Sequence, residues 1–584
     1  MRRRPNTTFL LTFITFLILF AIFSLNLSRN ALSRFRYSDS VSDLDTRHNT
    51  NDDNLFLNEY SHPKRRVSSI HFKVSISTVS ILLPDWEIML IVSPNTPLHY
   101  DYNYRCVFRN GAFSPARFSG VLPFMNVSTF KCDLPESVRR RRIFSQPALV
   151  TEASENEMND PSPAPELLRW NFLVYESFST EDDVVLFAKG VNHRQGYDRS
   201  PSELRCVFTT GEGNAVRTAV TSSVQEVFRC PRPDHALLFP ESEKIGISLE
   251  IIAENLVVPS VASYRPRPKP RPNSVMKAQA QPKYFLCACT MVYNVGKFLR
   301  EWVMYHSKVG VENFILYDNN SDDNLETVVN ELHEEGYNIT TLLWIWPKTQ
   351  EAGFSHSILH SKSNALCSWI MYVDVDEFVF SPSWIGSSYK TRNELPSLKS
   401  MLPHRQMSKV GRIGQVSMQC NEFGPSGQRK NPTEGVTQGY TCRRRVEQRH
   451  KSIVLVDAVD PSLRNVIHHF EVNEKEGYRS KQLSMEKGVV NHYKYQAWDE
   501  FKNKFRRRVS AYVVDWRQNV NLKSKDRTPG LGFQPIEPKD WVHKFCEVRD
   551  QRLKSLTQTW FSIYLRHNET RMAWQKKLRD YFIP

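Results

Sequence analysis

The stretch Trp369-Ile370-Met371-Tyr372-Val373-Asp374-Val375-Asp376-Glu377-Phe378 carries an apolar, strand-like run into three carboxylates within four residues. An extended backbone alternates its side chains, so Asp374 and Asp376 are expected on one side of it. Carboxylate oxygens so paired suit a hard divalent cation, Mn2+ or Mg2+, and that ion can grip a diphosphate. An acidic strand end or helix cap is the plainer reading of an isolated Asp-x-Asp triplet. The apolar run in front, which a solvated acidic turn would not need, favours the metal site.

Around this stretch strand and helix signals alternate. Lys283 to Tyr293 is strand-like, and Phe298, Leu299, Trp302, Val303 and Tyr305 then recur at helical spacing. Asn313 to Tyr317 reads as a short strand, Leu325 to Glu335 as an amphipathic helix stopped by Gly336, and Ile339 to Trp346 as a third strand. A helix from Ser355 to Leu366 leads into the strand that carries Asp374. This order predicts an α/β domain with a mostly parallel, doubly wound sheet. Ligands of such sheets bind beyond the carboxyl ends of the strands, where Asn294, Asp318 and Asp374 all fall.

Upstream the chain reads as β-rich. Tyr104-Arg105-Cys106-Val107-Phe108 with Phe130-Lys131-Cys132 resembles Leu204-Arg205-Cys206-Val207-Phe208 with Phe228-Arg229-Cys230. A strand-like run precedes each copy, Trp86 to Val92 and Asp183 to Ala188, so a degenerate tandem repeat of a β-sandwich-like unit is expected. Cys106 with Cys132 and Cys206 with Cys230 are the expected disulfides, each closing a loop of roughly 25 residues and adding about 3 kcal/mol. The alternative leaves all four thiols free and buried. Arg139 to Glu166, charged and proline-containing, reads as a linker, and Arg265 to Pro272, alternating proline with base, as an extended spacer.

At the other end, Arg2, Arg3 and Arg4 precede Phe9 to Leu27, an almost unbroken apolar run. About 19 residues make roughly 28 Å of helix, close to the roughly 30 Å of a hydrocarbon core, and a basic tail before such a run reads as a signal anchor; a cleaved signal peptide is the competing reading, disfavoured by the length of the run and the lack of a clean small-x-small site. The expected organisation is a cytosolic tail over 1–8, a transmembrane anchor over 9–27, a stem over 28–66, a first β module over 67–138, a linker over 139–170, a second β module over 171–262, a Pro-rich linker over 263–282 and a catalytic domain over 283–584. Everything beyond the anchor would be luminal, as a single-pass type II protein. The sequons at Asn126, Asn338 and Asn568 would then be glycosylation sites, while Asn319, also in a sequon, is expected in the site and unmodified.

The formal net charge of +15 would suit a nucleic-acid partner in a nuclear protein. Here the basic residues are dispersed in short runs, such as Arg139 to Arg142, Arg443 to Arg445 and Arg506 to Arg508, without zinc-finger or RNA-binding signatures. Solvated faces and anionic luminal partners account for the charge instead.

Tyr293-Asn294, Glu301-Trp302, Tyr305-His306, Tyr317-Asp318-Asn319-Asn320-Ser321-Asp322, Asp374-Val375-Asp376-Glu377-Phe378, Phe423-Gly424-Pro425-Ser426-Gly427 and Val490-Asn491-His492-Tyr493-Lys494-Tyr495-Gln496 together resemble plant glycosyltransferase family 92, which includes the β-1,4-galactan synthases. The resemblance covers about Lys283 to Phe545. It implies a GT-A fold, inverting transfer of galactose from UDP-galactose to a cell-wall polysaccharide, a manganese-like ion and a Golgi location. It implies that His492 completes the metal shell begun by Asp374 and Asp376, and that Asp318 contacts uridine, where an ordinary Asx turn is the alternative. Asn294 would line the donor site, and Lys494 would meet a phosphate as a point charge. Inversion requires a carboxylate base. Glu422 is the candidate, with Glu377 and Asp457 as alternatives and Asp376 beside it in the catalytic set. Gly424 and Gly427 would bring a backbone turn close to the acceptor. His356 and His360, one helical turn apart, read as structural or as lining the donor pocket. Paired anchors would make a homodimer. The runner-up is a catalytically silent glycan-binding or scaffold protein; a nucleotidyltransferase or phosphotransferase is disfavoured because no Gly-rich Lys-Ser/Thr phosphate loop is present.

Overall fold

A computed structural model describes residues 76, 78–94, 96–98, 102–140, 143–151, 165–192, 197–209, 214–233, 245–264, 281–385, 397–403, 411–466, 468–510, 537–564 and 570–575. The cytosolic tail, anchor and stem expected over 1–66, the Arg265 to Pro272 spacer and Asn568 lie outside the described residues. Among the described residues no helix is long and apolar enough to cross a membrane.

In the first upstream segment the strands Thr78–Leu82, Glu87–Val92, Val127–Asp133, Phe113–Leu122, Tyr104–Val107 and Ala148–Thr151 pair in that spatial order, all antiparallel. The second repeats the path through Leu173–Ser179, Asp183–Lys189, Val227–Pro231, Ser222–Val224, Ala215–Ala219, Leu204–Thr209 and Ile245–Ile251. The long strand Phe113–Leu122 pairs by its first half with Tyr104–Val107 and by its second with Val127–Asp133. Its counterpart is split into Ala215–Ala219 and Ser222–Val224, which belong to separate sheets. Turning that corner lays one layer over the other, and the bonds Cys106–Cys132 and Cys206–Cys230 tie the layers.

This topology corrects the expected linker over 139–170. Ala148–Thr151 completes the first copy by pairing with Tyr104–Val107, and Leu168–Arg169 runs parallel to Thr78–Leu82. The charged and proline-rich composition hid two short strands, of four residues and of two.

The remaining chain builds a nine-stranded sheet. Strands β1 (Tyr284–Val292), β2 (Asn313–Asp318), β3 (Ile339–Leu343) and β4 (Cys367–Tyr372) are parallel in the order β3-β2-β1-β4. Cys287 on β1 is bonded to Cys367 on β4, a pairing the sequence reading did not anticipate. Beyond β4 come β5 (Glu377–Phe380), β6 (Arg412–Glu422), β7 (Gln448–Leu455), β8 (Tyr478–Gln482) and β9 (Val489–His492) in the spatial order β4-β7-β6-β9-β5, with β8 pairing β6. Here β7 is antiparallel to β4 and β6, and β5 is antiparallel to β9. Because β6 is parallel to both β8 and β9, five of the eight pairings are parallel, so the sheet is mostly parallel as expected, with the antiparallel pairings confined to its second half.

Helices α1 (Gly296–Lys308) and α2 (Leu325–Glu334) cover one face, packing Leu299, Trp302, Val303, Val328 and Leu332 against Phe314 and Leu316. Helix α3 (Gln350–Ser363) covers the other, and it is buried almost all round. Its outer side is covered by the β repeats: Met89 and Leu122 of the first and Tyr175, Phe178 and Phe187 of the second share one core with Ile315, Trp344, Phe354 and Ile358. Trp170 stacks on Trp346 at 5.8 Å and 5° between planes. Tyr175 lies 5.3 Å from Trp346, and Phe187 meets Trp344 edge-on at 6.0 Å. The described residues all belong to one compact unit, Phe72–Pro584, rather than to a module set apart from a catalytic domain. His356 sits in this core, 4.4 Å from the ring of Phe124 and bonded through Nδ1 to the Tyr317 hydroxyl at 2.8 Å. Burial first, then His360, holds its pKa well below the usual histidine range.

Candidate functional site

Asp374 and Asp376 do not lie on an extended strand. Val373–Asp376 is the turn between β4 and β5, closed by Glu377 N–H donating to the Asp374 carbonyl at 2.9 Å. The turn sends the two side chains to different partners. Asp374 Oδ2 meets Lys451 Nζ at 3.2 Å and His468 Nε2 at 3.3 Å, and its Oδ1 accepts from Gln350 Nε2 at 3.2 Å. Asp376 Oδ2 meets Lys504 Nζ at 2.6 Å and His492 Nε2 at 3.6 Å.

Glu377 joins them. Its Oε1 lies 2.8 Å from Lys451 Nζ and 3.4 Å from His492 Nδ1, while Oε2 accepts from Asp374 N–H at 2.8 Å. Asp376, Glu377 and His492 each offer a ligand atom, all within 4.8 Å of one another. Two carboxylates and an imidazole are a donor set that fits Mn2+ or Mg2+. Of the sequence-derived trio, Asp376 and His492 come together as expected, whereas Asp374 is absent from this cluster and Glu377 takes its place. The signal that could have found Glu377 is pairing: it stands opposite His492 in the β5–β9 register.

Burial alone would raise the carboxyl pKa values of Asp374 and Asp376, yet both are held below the usual range. Lys451 and His468 outweigh burial at Asp374, and Lys504 and His492 do so at Asp376. Burial would likewise lower the Lys451 pKa, but Asp374 and Glu377 hold it above its ordinary value.

Strand β5 ends the sheet, so among the described residues its outer backbone edge has no strand partner. Helix α1 supplies one through side chains. Trp302 Nε1 donates to the Glu377 carbonyl at 3.1 Å, the Tyr305 hydroxyl donates to the Val379 carbonyl at 2.7 Å, and Val379 N–H donates to His306 Nε2 at 3.4 Å. His306 Nδ1 then donates to the Trp302 carbonyl at 2.9 Å, which sets the tautomer. Burial pushes His306 down to about 3, so its ring stays neutral and able to accept. The Trp302, Tyr305 and His306 part of the helix motif thus positions the strand that opens with Glu377. Glu301, beside them, accepts from Val436 N–H at 2.7 Å and from Thr437 N–H and Oγ1 at 3.0 and 2.6 Å. Burial pushes its carboxyl up to about 7 against those donors.

One strand further in, Glu422 faces His492 in the β6–β9 register, so Glu377, His492 and Glu422 form a row across three strands. Glu422 receives Lys494 Nζ at 2.6 Å, Arg444 Nη1 at 3.1 Å and the Tyr495 hydroxyl at 3.3 Å. Burial would raise its pKa, but Lys494 and Arg444 bring it below the usual value. Lys494 is therefore committed to Glu422 rather than standing free for a phosphate. Asp457 is exposed, just past the far end of β7, away from this row.

The Phe423 to Gly427 loop is stapled to its surroundings. Ser426 Oγ accepts from Thr441 and Cys442 N–H at 2.8 and 2.9 Å, and Cys442 is bonded to Cys546. A Cβ on Gly424 would stand 2.6 Å from the Lys544 carbonyl and 2.7 Å from that of Phe545. That glycine permits close packing under the C-terminal segment instead of an open acceptor turn. Gly427 has φ +82°, its N–H donates to the Val542 carbonyl at 2.8 Å, and a Cβ there would meet nothing within 4 Å.

Asn294 and Asp318 lie past and at the carboxyl ends of β1 and β2. Asn294 has φ 51°, and its side chain exchanges hydrogen bonds with Asp322, accepting from Asp322 N–H at 2.9 Å. Asp318 Oδ1 accepts from Ser321 N–H and Oγ at 2.9 and 2.7 Å, three residues on, one more than an Asx turn spans. Asn319 Nδ2 donates to the Trp344 and Trp346 carbonyls at 2.6 and 3.2 Å. The sequon residues Asn126 and Asn338 are exposed.

Residues 283–524 match the family model for glycosyltransferase family 92. A glycosyltransferase family 92 protein of Oryza sativa subsp. japonica is 40% identical over 413 residues, 68% of this chain and 67% of that one. One of Arabidopsis thaliana is 40% identical over 67% of each chain, and one of Ricinus communis is 38% identical over 81% of each. A solved structure of glucosyl-3-phosphoglycerate synthase from Mycobacterium tuberculosis, with Mn2+, UDP and glucosyl-3-phosphoglycerate, is similar at 10% identity and TM-score 0.15, covering 30% of this chain and 58% of that one. That likeness is too slight to carry an argument.

Proposed function

The chain belongs to glycosyltransferase family 92, and on that footing we propose that it is an inverting, metal-dependent GT-A enzyme that moves a hexose, galactose from UDP-galactose, onto a cell-wall polysaccharide such as β-1,4-galactan. The observation that carries this reading is the row Glu377, His492 and Glu422, with Asp376 beside it, just beyond the carboxyl end of β4. Asp376, Glu377 and His492 would hold Mn2+ or Mg2+, which supplies Lewis-acid neutralisation of the departing diphosphate. Glu422 is the carboxylate placed to receive the acceptor proton. Its depressed pKa keeps it ionised, and an acceptor hydroxyl reaching it would take a place now held by Lys494 or Tyr495.

The apolar run Phe9 to Leu27 supports anchoring in the Golgi membrane as a single-pass type II protein, and four disulfides suit an oxidising lumen. The test is to supply the full chain with Mn2+ and a panel of UDP-sugars and to follow UDP release with and without β-1,4-galactan oligomers. Acceptor-stimulated release from UDP-galactose alone is expected. No release from any donor, alongside glycan binding, would favour a silent scaffold.

A further inference from the structure

Two lysines touch the acidic site, and they differ in a way that assigns them different parts. Lys504 reaches Asp376 Oδ2 with a side chain that is 36% exposed, so water and ions can compete for its place. Lys451 lies between Asp374 Oδ2 and Glu377 Oε1 with a side chain only 8% exposed. It comes from β7, neighbour of β4 in the sheet. Asp374, its side chain 33% exposed, is held by Lys451, His468 and Gln350, none of which is an exposed chain. Glu377, by contrast, is fully buried, and a buried ion pair that loses one member leaves the other as an uncompensated charge in a poor solvent, so the Lys451–Glu377 pair stays formed.

We propose that Lys451 is the permanent counter-ion of the site: its ammonium, held between Asp374 and Glu377, limits how tightly the site holds a divalent ion. The inference rests on the reading of Asp376, Glu377 and His492 as the ligands. It adds that the site is assembled before the ion arrives, since the turn carrying Asp376 is already neutralised and closed. The same ammonium stands on the oxygen that Glu377 shares with His492, so it opposes the charge of an incoming divalent ion and favours exchangeable binding.

The test measures Mn2+ affinity by titration calorimetry and thermal unfolding with and without Mn2+, on the full chain. Lys451→Met is expected to bind Mn2+ at least tenfold more tightly than wild type, to melt lower without the ion and to regain the loss when it is added. Lys451→Arg should keep the wild-type affinity. Lys451→Met with Asp374→Asn removes one charge of each sign and is expected to bind within about threefold of wild type; this variant carries the test should Lys451→Met fail to fold. Unchanged or weaker binding in Lys451→Met, or lost binding in the double variant, overturns the proposal and leaves the metal site standing. If wild type and Asp376→Asn bind Mn2+ equally, or neither binds it, the metal-site reading falls and takes the proposal with it.

Discussion

Phe187 belongs to the second β repeat, yet it touches Trp344 just past β3 and His356 on α3, so replacing it tests whether the repeat and the sheet domain fold as one. The side chain is fully buried, edge-on to Trp344 at 6.0 Å and close to His356 at 5.8 Å. Truncating a buried Phe to Ala costs about 3–5 kcal/mol, the larger value applying where rigid neighbours cannot collapse into the hole. The rings of Tyr175, Trp344 and His356 wall this one, so a value near the top of that range is expected. Unfolding entropy is about 2.1 cal/mol/K per residue, hence roughly 1 kcal/mol/K for a unit of about 500 residues, and Phe187→Ala should lower Tm by about 3–5 °C. Scanning calorimetry on the full chain is expected to show the transition of the catalytic sheet moving by that amount. Two transitions, with that of the catalytic sheet unmoved, would refute the shared core.

The remaining predictions concern the site and its supports. Asp376→Asn should abolish Mn2+ binding and sugar transfer while leaving the melting temperature within a few degrees, read by calorimetry and UDP release. Glu301 has a folded-state pKa pushed by burial from 4.5 up to about 7, so the folded state takes up its proton first. The stability this provides is complete below about pH 4.5 and lost as pH rises to about 7. Urea midpoints at pH 5 and pH 7 should therefore differ more in wild type than in Glu301→Gln; equal differences would refute the linkage. Gly424→Ala must push a methyl group into the Lys544 and Phe545 carbonyls. It should cost about 1–3 kcal/mol by overpacking, visible as a lowered denaturant midpoint.

Much of the architecture was legible because it is written in local pattern. The alternation of apolar runs with helical spacing between Lys283 and Tyr372 marks β1 to β4 and α1 to α3, and the paired Cys-Val-Phe segments mark the repeat. Ala148–Thr151 escaped notice because four residues carry too little periodicity to stand out from a charged neighbourhood. Bonds Cys287–Cys367 and Cys442–Cys546 span separations of 80 and 104 residues, and no local motif announces them. The helix motif Trp302, Tyr305 and His306 was recognised without its purpose, which depends on a strand about 75 residues away.

The local ingredients could be read along the chain: carboxylates closing an apolar strand, a histidine in a distant motif, and the pattern of an α/β sheet behind a β-rich repeat. Which carboxylates lie together depends on the folded chain. A turn replaces the extended backbone at Asp374, so the side-chain alternation that linked Asp374 to Asp376 no longer applies, and strand register instead sets Glu377 opposite His492. The partnership of Lys451 with Asp374, and of Trp344 and Trp346 with the β repeats, has the same origin. Both are contacts between segments far apart along the chain, decided by burial and charge pairing in the folded state rather than by neighbouring residues.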